Sequence, residues 1–105
     1  MKKAKKTFEA TYEFPFLAHA PMEPLNATVQ LQSDRLDIWM GTQAALWCTK
    51  LAAQLADLKP EQAYLHNCYV GGGFGRKTRG DELKHAVGVA KVVGNRPVKL
   101  IWTRE

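Results

Sequence analysis

Residues 70–78 read VGGGFGRKT, and this segment has the clearest capacity for chemistry in the sequence. Four of the five residues 71–75 are glycine, which loses conformational entropy on folding and packs no side chain. A stable loop of this composition needs positive φ angles or a group pressed against its backbone. Its adjacent amides can donate to an anionic or oxo ligand. Phe74 would form a rigid wall beside that ligand, and Arg76 carries a guanidinium suited to a phosphate.

Two nucleotide-binding motifs are similar to this loop, and both fail at Arg76. Lys77 and Thr78 match the ending of a P-loop, but that motif requires glycine at the preceding position. The dinucleotide fingerprint, aligned from Gly71, requires its third glycine at the same place. A flexible strand-to-helix connection is the alternative that needs no ligand. Phe74, an aromatic residue between glycines, counts against it.

The residues on either side of the loop predict the elements that position it. Residues 63–70 have the aromatic content and length of a strand that ends at the loop. Residues 81–93 predict a helix, with acidic residues in its first turn, Lys91 near its end and Gly94 beyond it. Residues 97–103 predict a closing strand.

The first half of the chain predicts a strand, a connection and a hairpin. Apolar and polar residues alternate over residues 8–14, which predicts a half-buried strand. Prolines then predict an irregular connection over residues 16–25. Residues 26–32 and 36–40 are separated by Ser-Asp-Arg and predict an antiparallel hairpin, with the apolar side chains of its second strand facing the core.

A helix is predicted after the hairpin, capped by Thr42 and ending near Leu58. Its predicted buried face comprises Ala44, Trp47, Cys48, Leu51, Ala52 and Leu55. The order strand, hairpin, helix, strand, helix, strand favours an α+β fold. We predict a two-layer α/β sandwich in which two helices pack on one face of a mixed sheet.

The composition of the chain indicates one soluble domain. The chain has 105 residues, of which 46% are hydrophobic and 24% charged. We predict a disordered basic N-terminal segment at residues 1–7 and a single domain at residues 8–105. Net charge is +5, but four lysines lie in the first six residues, so the nearly neutral body argues against nucleic-acid binding. Neither a membrane span nor a targeting signal is visible, so we expect a cytoplasmic chain, although a parent enzyme could be periplasmic.

The cysteines and histidines favour structural roles. Cys48 and Cys68 lie in apolar patterns and are interpreted as reduced core cysteines. His19 could line a substrate channel, but a hydrogen-bonded structural role fits its setting better. His66 and His85 have no partner at metal-ligand spacing, so no side chain is assigned as a metal ligand.

Glu23 and the tryptophans also favour structural interpretations. Glu23 could act as a catalytic acid, but a lone carboxylate beside Pro24 more often anchors a turn. Trp39, Trp47 and Trp102 fall at patterned positions and are interpreted as core or interface anchors.

Three stretches in order carry a resemblance to a known family. They are AHAPMEPLN at residues 18–26, GTQ at 41–43 and GGGFGR at 71–76. Together they resemble the molybdopterin-binding large subunits of the xanthine dehydrogenase and aldehyde oxidase family, especially the isoquinoline 1-oxidoreductase type. The ending RPVKLIWTRE at residues 96–105 is also similar. The resemblance runs from about residue 8 to residue 105, a small part of such a subunit.

The resemblance implies that the loop holds molybdopterin, the molybdenum cofactor. The backbone of Phe74 and Gly75 would lie beside the molybdenum centre, and Gln43 would hydrogen-bond around the metal's ligands or the pterin. Arg76 would lie near the phosphate-bearing side of the cofactor. The implied cofactor-binding set is Gln43, Gly72, Gly73, Phe74, Gly75 and Arg76. Family chemistry is hydroxylation of an aldehyde or N-heterocycle carbon with water-derived oxygen, and the protein contributes positioning and electrostatics.

Two departures from the family limit what the resemblance implies. Purine hydroxylases place a glutamate four residues after the loop phenylalanine, where this chain has Thr78, so purine recognition is not supported. The family's catalytic glutamate has no counterpart here, so no catalytic residue is assigned and the isolated chain is expected to be inactive. Expected partners are the remainder of a large subunit, an iron-sulfur subunit and, through exposed apolar surface, a second copy of the chain. The alternative is a stand-alone interaction or assembly module that lost catalysis.

Overall fold

A computed structural model describes residues 6–15 and 19–103 and contains one sheet and two helices. The strands are β1 (Asn26–Leu31), β2 (Leu36–Met40), β3 (Ala63–Asn67) and β4 (Val98–Ile101). The helices are α1 (Ala45–Leu55) and α2 (Asp81–Val93), and short 3-10 turns cover Pro60–Gln62 and Arg76–Thr78. The predicted α+β class is confirmed.

The sheet is mixed and has the strand order β3-β2-β1-β4. β1 pairs antiparallel with β2 and with β4, whereas β2 and β3 run parallel. The predicted hairpin is confirmed, with Val29 opposite Ile38. Because side chains alternate between the two faces of a strand, this register turns one row of apolar side chains toward the helices. That row comprises the fully buried Ala27, Val29, Leu36, Ile38 and Met40.

Both helices pack against this buried face of the sheet. α1 contributes Cys48, Ala52 and Ala53, and α2 contributes Leu83, Ala86, Val87 and Ala90. The predicted burial of Trp47 is wrong, because this side chain is 56% exposed. Small residues form the buried face of α1 instead, which lets α1 approach its neighbours closely. Thr42 is not the helix cap, since α1 begins after Ala44.

The predicted strand over residues 8–14 is wrong. Residues 6–15 have no regular secondary structure, and Phe8, Tyr12 and Phe14 are exposed. Alternation indicates two faces of a segment but does not show that a partner strand exists. In the described part of the chain, β3 and β4 form the two edges of the sheet, and residues 6–15 pair with neither. The strand predicted over residues 63–70 is shorter than expected and ends at Asn67.

Parts of three predictions lie outside the described residues, one of them being residues 104–105 of the predicted single domain. Residues 1–5 of the predicted basic segment and residues 16–18 of the predicted connection are among those that the structure does not describe. Residues 19–25 of that connection contain no helix or strand, as expected. Among the described helices, none combines the length and apolarity needed to cross a membrane.

Candidate functional site

The proline-rich segment of residues 19–25, here called the strap, lies directly on the glycine-rich loop. The backbone N–H of Glu23 donates to the carbonyl oxygen of Gly71 at 3.0 Å, and the N–H of Gly71 donates to Glu23 Oε2 at 2.8 Å. Asn26 Nδ2 donates to the other carboxylate oxygen, also at 3.0 Å. The predicted anchoring role of Glu23 is confirmed, and its partners include the loop itself.

Lys77 connects the loop to two other segments at once. Its side chain is buried, and Nζ donates to Glu23 Oε2 in the strap. Its carbonyl oxygen accepts the Thr42 hydroxyl at 2.8 Å and the backbone N–H of Gln43 at 3.3 Å. The loop is therefore fixed to the strap by a side chain and to the β2–α1 connection by a carbonyl group.

The sequence did not identify Lys77 as part of this site. The lysine attracted attention only as the ending of a failed P-loop match, and its carboxylate partner lies 54 positions away. A buried lysine is rare unless it is paired, but Lys77 lies between Arg76 and Thr78 in the sequence, so no local pattern indicates that it is buried. Nothing in the spacing identifies that partner as Glu23.

The Glu23 carboxylate is held in its ionised form. Burial by itself would raise the pKa of Glu23, but hydrogen bonds from Lys77, Asn26 and the Gly71 backbone outweigh it, and the pKa is lowered. At neutral pH Glu23 and Lys77 therefore form an ion pair beneath the loop.

Gln43 holds the loop from the opposite side. Its Oε1 accepts the backbone N–H of Gly75 at 3.1 Å. A Cβ atom at position 73 would lie 2.3 Å from this same oxygen, so the glutamine side chain occupies the space that any larger residue would need. The structure thus brings together Gln43 and the loop glycines, whereas the role toward the cofactor that the resemblance implies for them stays a prediction.

Three consecutive backbone N–H groups in the loop lack a protein acceptor. They belong to Gly72, Gly73 and Phe74, and none donates to another group in the described part of the chain. The amides of Gly71, Gly75, Arg76 and Thr78 all have acceptors. Successive unpaired amides form a concave donor site for anionic or oxo groups.

Phe74 has a backbone conformation that residues other than glycine rarely adopt. Its φ is 50°, between the positive values of Gly72 (91°) and Gly75 (84°). This region costs a residue with a Cβ roughly 1–2 kcal/mol. The ring is 71% exposed, so burial of the ring does not offset that cost. Such strain is typical of functional loops.

Arg76 is turned toward α2 and the end of the chain. Its Nη1 donates to Asp81 Oδ2 at 3.0 Å, and the guanidinium lies 5.6 Å from the centroid of the Trp102 ring. Arg76 and Trp102 line a cleft of about 340 Å³ together with strap residues that include His19. Asp81 therefore neutralises part of the charge that Arg76 could offer to a phosphate.

Among the described residues, the side chains of His66, Cys48 and Cys68 make no hydrogen bond to the loop amides. His66 Nε2 donates to the ionised carboxylate of Asp37 at 2.9 Å and its ring stacks on Trp39, a structural arrangement. Cys48 is buried and free as predicted, and burial raises the pKa of its thiol. Cys68 is free but exposed, so its predicted place in the core is wrong. No cluster of metal-ligating side chains occurs among the described residues.

Comparison with known proteins identifies the family. A model of the molybdopterin cofactor-binding domain matches residues 1–105. The chain is 37% identical to isoquinoline 1-oxidoreductase subunit beta of Brevundimonas diminuta, over 82% of this chain and 11% of that protein. It is 33% identical to the aldehyde oxidoreductase molybdenum-binding subunit PaoC of Escherichia coli K12, over 91% of this chain and 13% of that protein.

A solved structure gives the same result. Quinoline 2-oxidoreductase from Pseudomonas putida 86 matches with a TM-score of 0.67 and 27% identity, over 80% of this chain and 11% of that one. The chain thus spans between 11% and 13% of the length of these relatives. Sequence and structure agree that the chain belongs to the molybdopterin cofactor-binding domain family of molybdopterin-binding oxidoreductases.

Proposed function

We propose that this chain binds the molybdenum cofactor through the loop of residues 71–76, as one segment of a molybdenum hydroxylase large subunit. The proposed cofactor-binding residues are Gln43, Gly72, Gly73, Phe74, Gly75 and Arg76. The observation that carries the proposal is the run of three unpaired N–H groups from Gly72 to Phe74. Donors fixed in a row before a ligand arrives can hold oxo or anionic groups without reorganising.

The chemistry of the available donors fits this cofactor. Gln43 Oε1 already accepts from Gly75, so the amide NH₂ of Gln43 is the group left to face a ligand, and it is a donor. The described residues include no cluster that could ligate a metal ion, so the metal would be carried by the cofactor. When bound, the cofactor would supply the redox and oxygen-transfer chemistry. The role of this chain is to bind and orient it.

Phe74 supports the same assignment. Its strained backbone and exposed ring are difficult to explain in a loop that only connects β3 to α2. A bound cofactor would cover the ring and would offset the backbone strain. Arg76 is the least direct member of the set, because Asp81 already accepts from its guanidinium.

The activity of the whole enzyme follows from the relatives as a further part of the proposal. Relatives are named for isoquinoline, quinoline and aldehyde oxidation. We therefore propose hydroxylation of an aldehyde or N-heterocycle carbon with water-derived oxygen, with electrons passing to an iron-sulfur subunit. Residues 8–105 would form a single unit that packs against the remainder of the large subunit. By itself this unit would be inactive, because it lacks the family's catalytic glutamate.

The alternative is a stand-alone interaction or assembly module. Leu46 and Trp47 are consistent with it, since these side chains are 82% and 56% exposed in the first turn of α1. Exposed apolar side chains commonly mark protein-binding surfaces. The same exposure is expected of a segment that packs against the rest of a large subunit. Cofactor binding therefore separates the two proposals.

Two exposed glutamines provide a matched test. The full chain would be produced in a host that synthesises the cofactor, as wild type, Gln43→Ala and Gln54→Ala, and molybdenum per chain would be measured by mass spectrometry. Wild type and Gln54→Ala should retain molybdenum, and Gln43→Ala should retain roughly tenfold less, the usual cost of losing a group that orients a metal centre. A folded wild-type chain without molybdenum or pterin would favour the interaction module.

A further inference from the structure

The ion pair between Glu23 and Lys77 lies where the three segments that carry the family resemblance come together, with Lys77 directly after the GGGFGR motif. Glu23 belongs to the strap, Lys77 belongs to the loop, and the Lys77 carbonyl oxygen accepts from Thr42 and Gln43 of the β2–α1 connection. These three segments are far apart in the chain, and Lys77 contacts both of the other two. The pair is therefore placed where it can determine the shape of the loop.

We propose that Glu23 and Lys77 are positioning residues, which hold the unpaired amides of residues 72–74 in the arrangement that a cofactor requires. The proposal rests on the proposed function. Glu23 fixes one end of the loop through both hydrogen bonds with Gly71. Lys77 fixes the other end by linking that same carboxylate to the chain beyond Gly75. The free amides lie between these two fixed points.

The strap and the loop pack closely against each other. A Cβ at Gly71 would lie 2.6 Å from Glu23 Cβ, and a Cβ at Gly72 would lie 3.2 Å from Pro21 Cβ. Gly71 is thus required for the strap to approach, Gly72 is in tight contact with the strap and has a φ of 91° that favours glycine, and Gly73 is required by Gln43. Different glycines of one motif serve different neighbours, and only part of the motif is left for the ligand.

The environment of the pair favours positioning over a general contribution to stability. The Lys77 side chain is 2% exposed and the Glu23 side chain 26% exposed. Replacing a buried ion pair by apolar residues is often neutral or stabilising, so stability alone does not account for charges here. Apolar residues could not accept the Gly71 N–H, which the carboxylate does. Directed hydrogen bonds to the loop are what the charged pair adds.

Hydrogen exchange of the loop amides tests this role without any cofactor. The full chain would be compared as wild type, Glu23→Gln, Lys77→Met, the double variant and Lys91→Met. Lys91 is a matched control, because its ammonium pairs with Asp57 at 2.6 Å on an exposed surface away from the loop. Exchange of the hydrogen-bonded amides of Gly71, Gly75 and Arg76 should be roughly tenfold faster in both single variants and unchanged in the control, since local opening governs the exchange of paired amides.

The double variant tests whether the two residues act as a pair. Removing both charges leaves neither one unpaired, so its increase in exchange should be smaller than the product of the two single increases. Exchange in α1 and α2 should match wild type in Glu23→Gln, which preserves size and reports the loop even if Lys77→Met fails to fold. Loop exchange that stays at the wild-type rate in Glu23→Gln would overturn the proposal.

Molybdenum content then separates the two proposals. In the same cofactor-producing host, Glu23→Gln and Lys77→Met should lose molybdenum while Lys91→Met retains it. Faster loop exchange with full molybdenum content would overturn the positioning role. A wild-type chain that shows ordered loop amides but never carries the cofactor would overturn the proposed function, and the exchange result would still stand.

Discussion

Gln43 Oε1 accepts the backbone N–H of Gly75 at 3.1 Å and would lie 2.3 Å from a Cβ at position 73. The side chain therefore passes beneath one loop glycine to reach another. This arrangement explains why the loop needs glycine at a position where φ is not positive. It also makes Gly73 and Gln43 a coupled pair, in which a change at one residue must displace the other.

Gly73→Ala should break this relationship at a modest cost in stability. The new methyl group would displace the Gln43 amide and leave the Gly75 N–H without its acceptor, which should lower the free energy of unfolding by about 0.5–1.5 kcal/mol. The molybdenum content per chain should fall further than this small loss of stability can explain. Urea unfolding and metal analysis of the same preparation would measure both effects.

Gly88→Ala is the control for that experiment. Gly88 lies within α2, and a Cβ there would meet nothing within 4 Å. Alanine at this helical position should raise the free energy of unfolding by about 0.5–1 kcal/mol and leave molybdenum content unchanged. Equal loss of molybdenum in both variants would show that the Gly73 effect is not specific to the loop.

The sequence predicted the parts of this structure that depend on local pattern. The hairpin followed from two short runs separated by a polar three-residue turn, and α2 followed from its acidic first turn and from Gly94. Residues 8–14 show the limit, because alternation cannot reveal whether a partner strand exists. Trp47 shows a second limit. Helical spacing is compatible with burying a face of α1 that includes this large residue, but the structure buries a face of small residues instead.

The functional site was likewise predictable only where it depends on local sequence motifs. Short motifs identified the loop and Gln43, and the structure brings them together. The Glu23–Lys77 pair was not predicted, because a contact across 54 positions depends on the path of the strap over the loop. The direction of Arg76 likewise depends on Asp81 and Trp102, which only the folded chain places beside it.

Asp37 should make stability depend on pH at acidic values. The hydrogen bond from Arg35 lowers the pKa of Asp37 to about 2, from an unfolded value near 3.8. Because the folded pKa is lower, the stabilisation is complete above pH 4 and is lost as pH falls toward 2. Asp37→Asn should lower the free energy of unfolding by about 1–2 kcal/mol at pH 7, because solvent around the exposed partners of Asp37 screens the interaction.

Urea unfolding of wild type and Asp37→Asn at several pH values would check this prediction. The difference between the two proteins should shrink as pH falls from 4 to 2. Asp34→Asn in the neighbouring exposed turn is the control and should change the free energy of unfolding by less than about 0.5 kcal/mol. A constant difference at every pH would mean that Asp37 stabilises the fold through packing alone.

Glu82 should have the opposite dependence on pH. Its side chain is buried, Oε2 has no hydrogen-bond partner in the described part of the chain, and burial raises the pKa of the carboxyl group. Because the folded pKa is raised, stability falls as pH rises through the unfolded value near 4.5. Glu82→Met should therefore stabilise the chain at pH 7 by about 1–3 kcal/mol, the cost of an unsatisfied buried polar group.

That gain should be smaller at pH 4, where folded wild-type Glu82 is protonated and no charge is buried. Thermal unfolding of both proteins at pH 4 and pH 7 would measure it. Lys84→Met, which changes an exposed residue of the same helix, controls for a general preference of α2 for methionine. A Glu82→Met variant that is less stable than wild type at pH 7 would indicate that the carboxylate has a partner in solution.

The isolated chain should self-associate through the first turn of α1. Leu46 and Trp47 are 82% and 56% exposed there, which leaves apolar surface in contact with water. Sedimentation at high protein concentration should therefore show a dimer or larger species. A double variant, Leu46→Ser with Trp47→Ser, should sediment as a monomer, because it removes the apolar surface and keeps the buried face of α1 intact. Val92→Ser changes an equally exposed residue near the end of α2 and should associate like wild type. A wild-type chain that stays monomeric at high concentration would contradict the prediction.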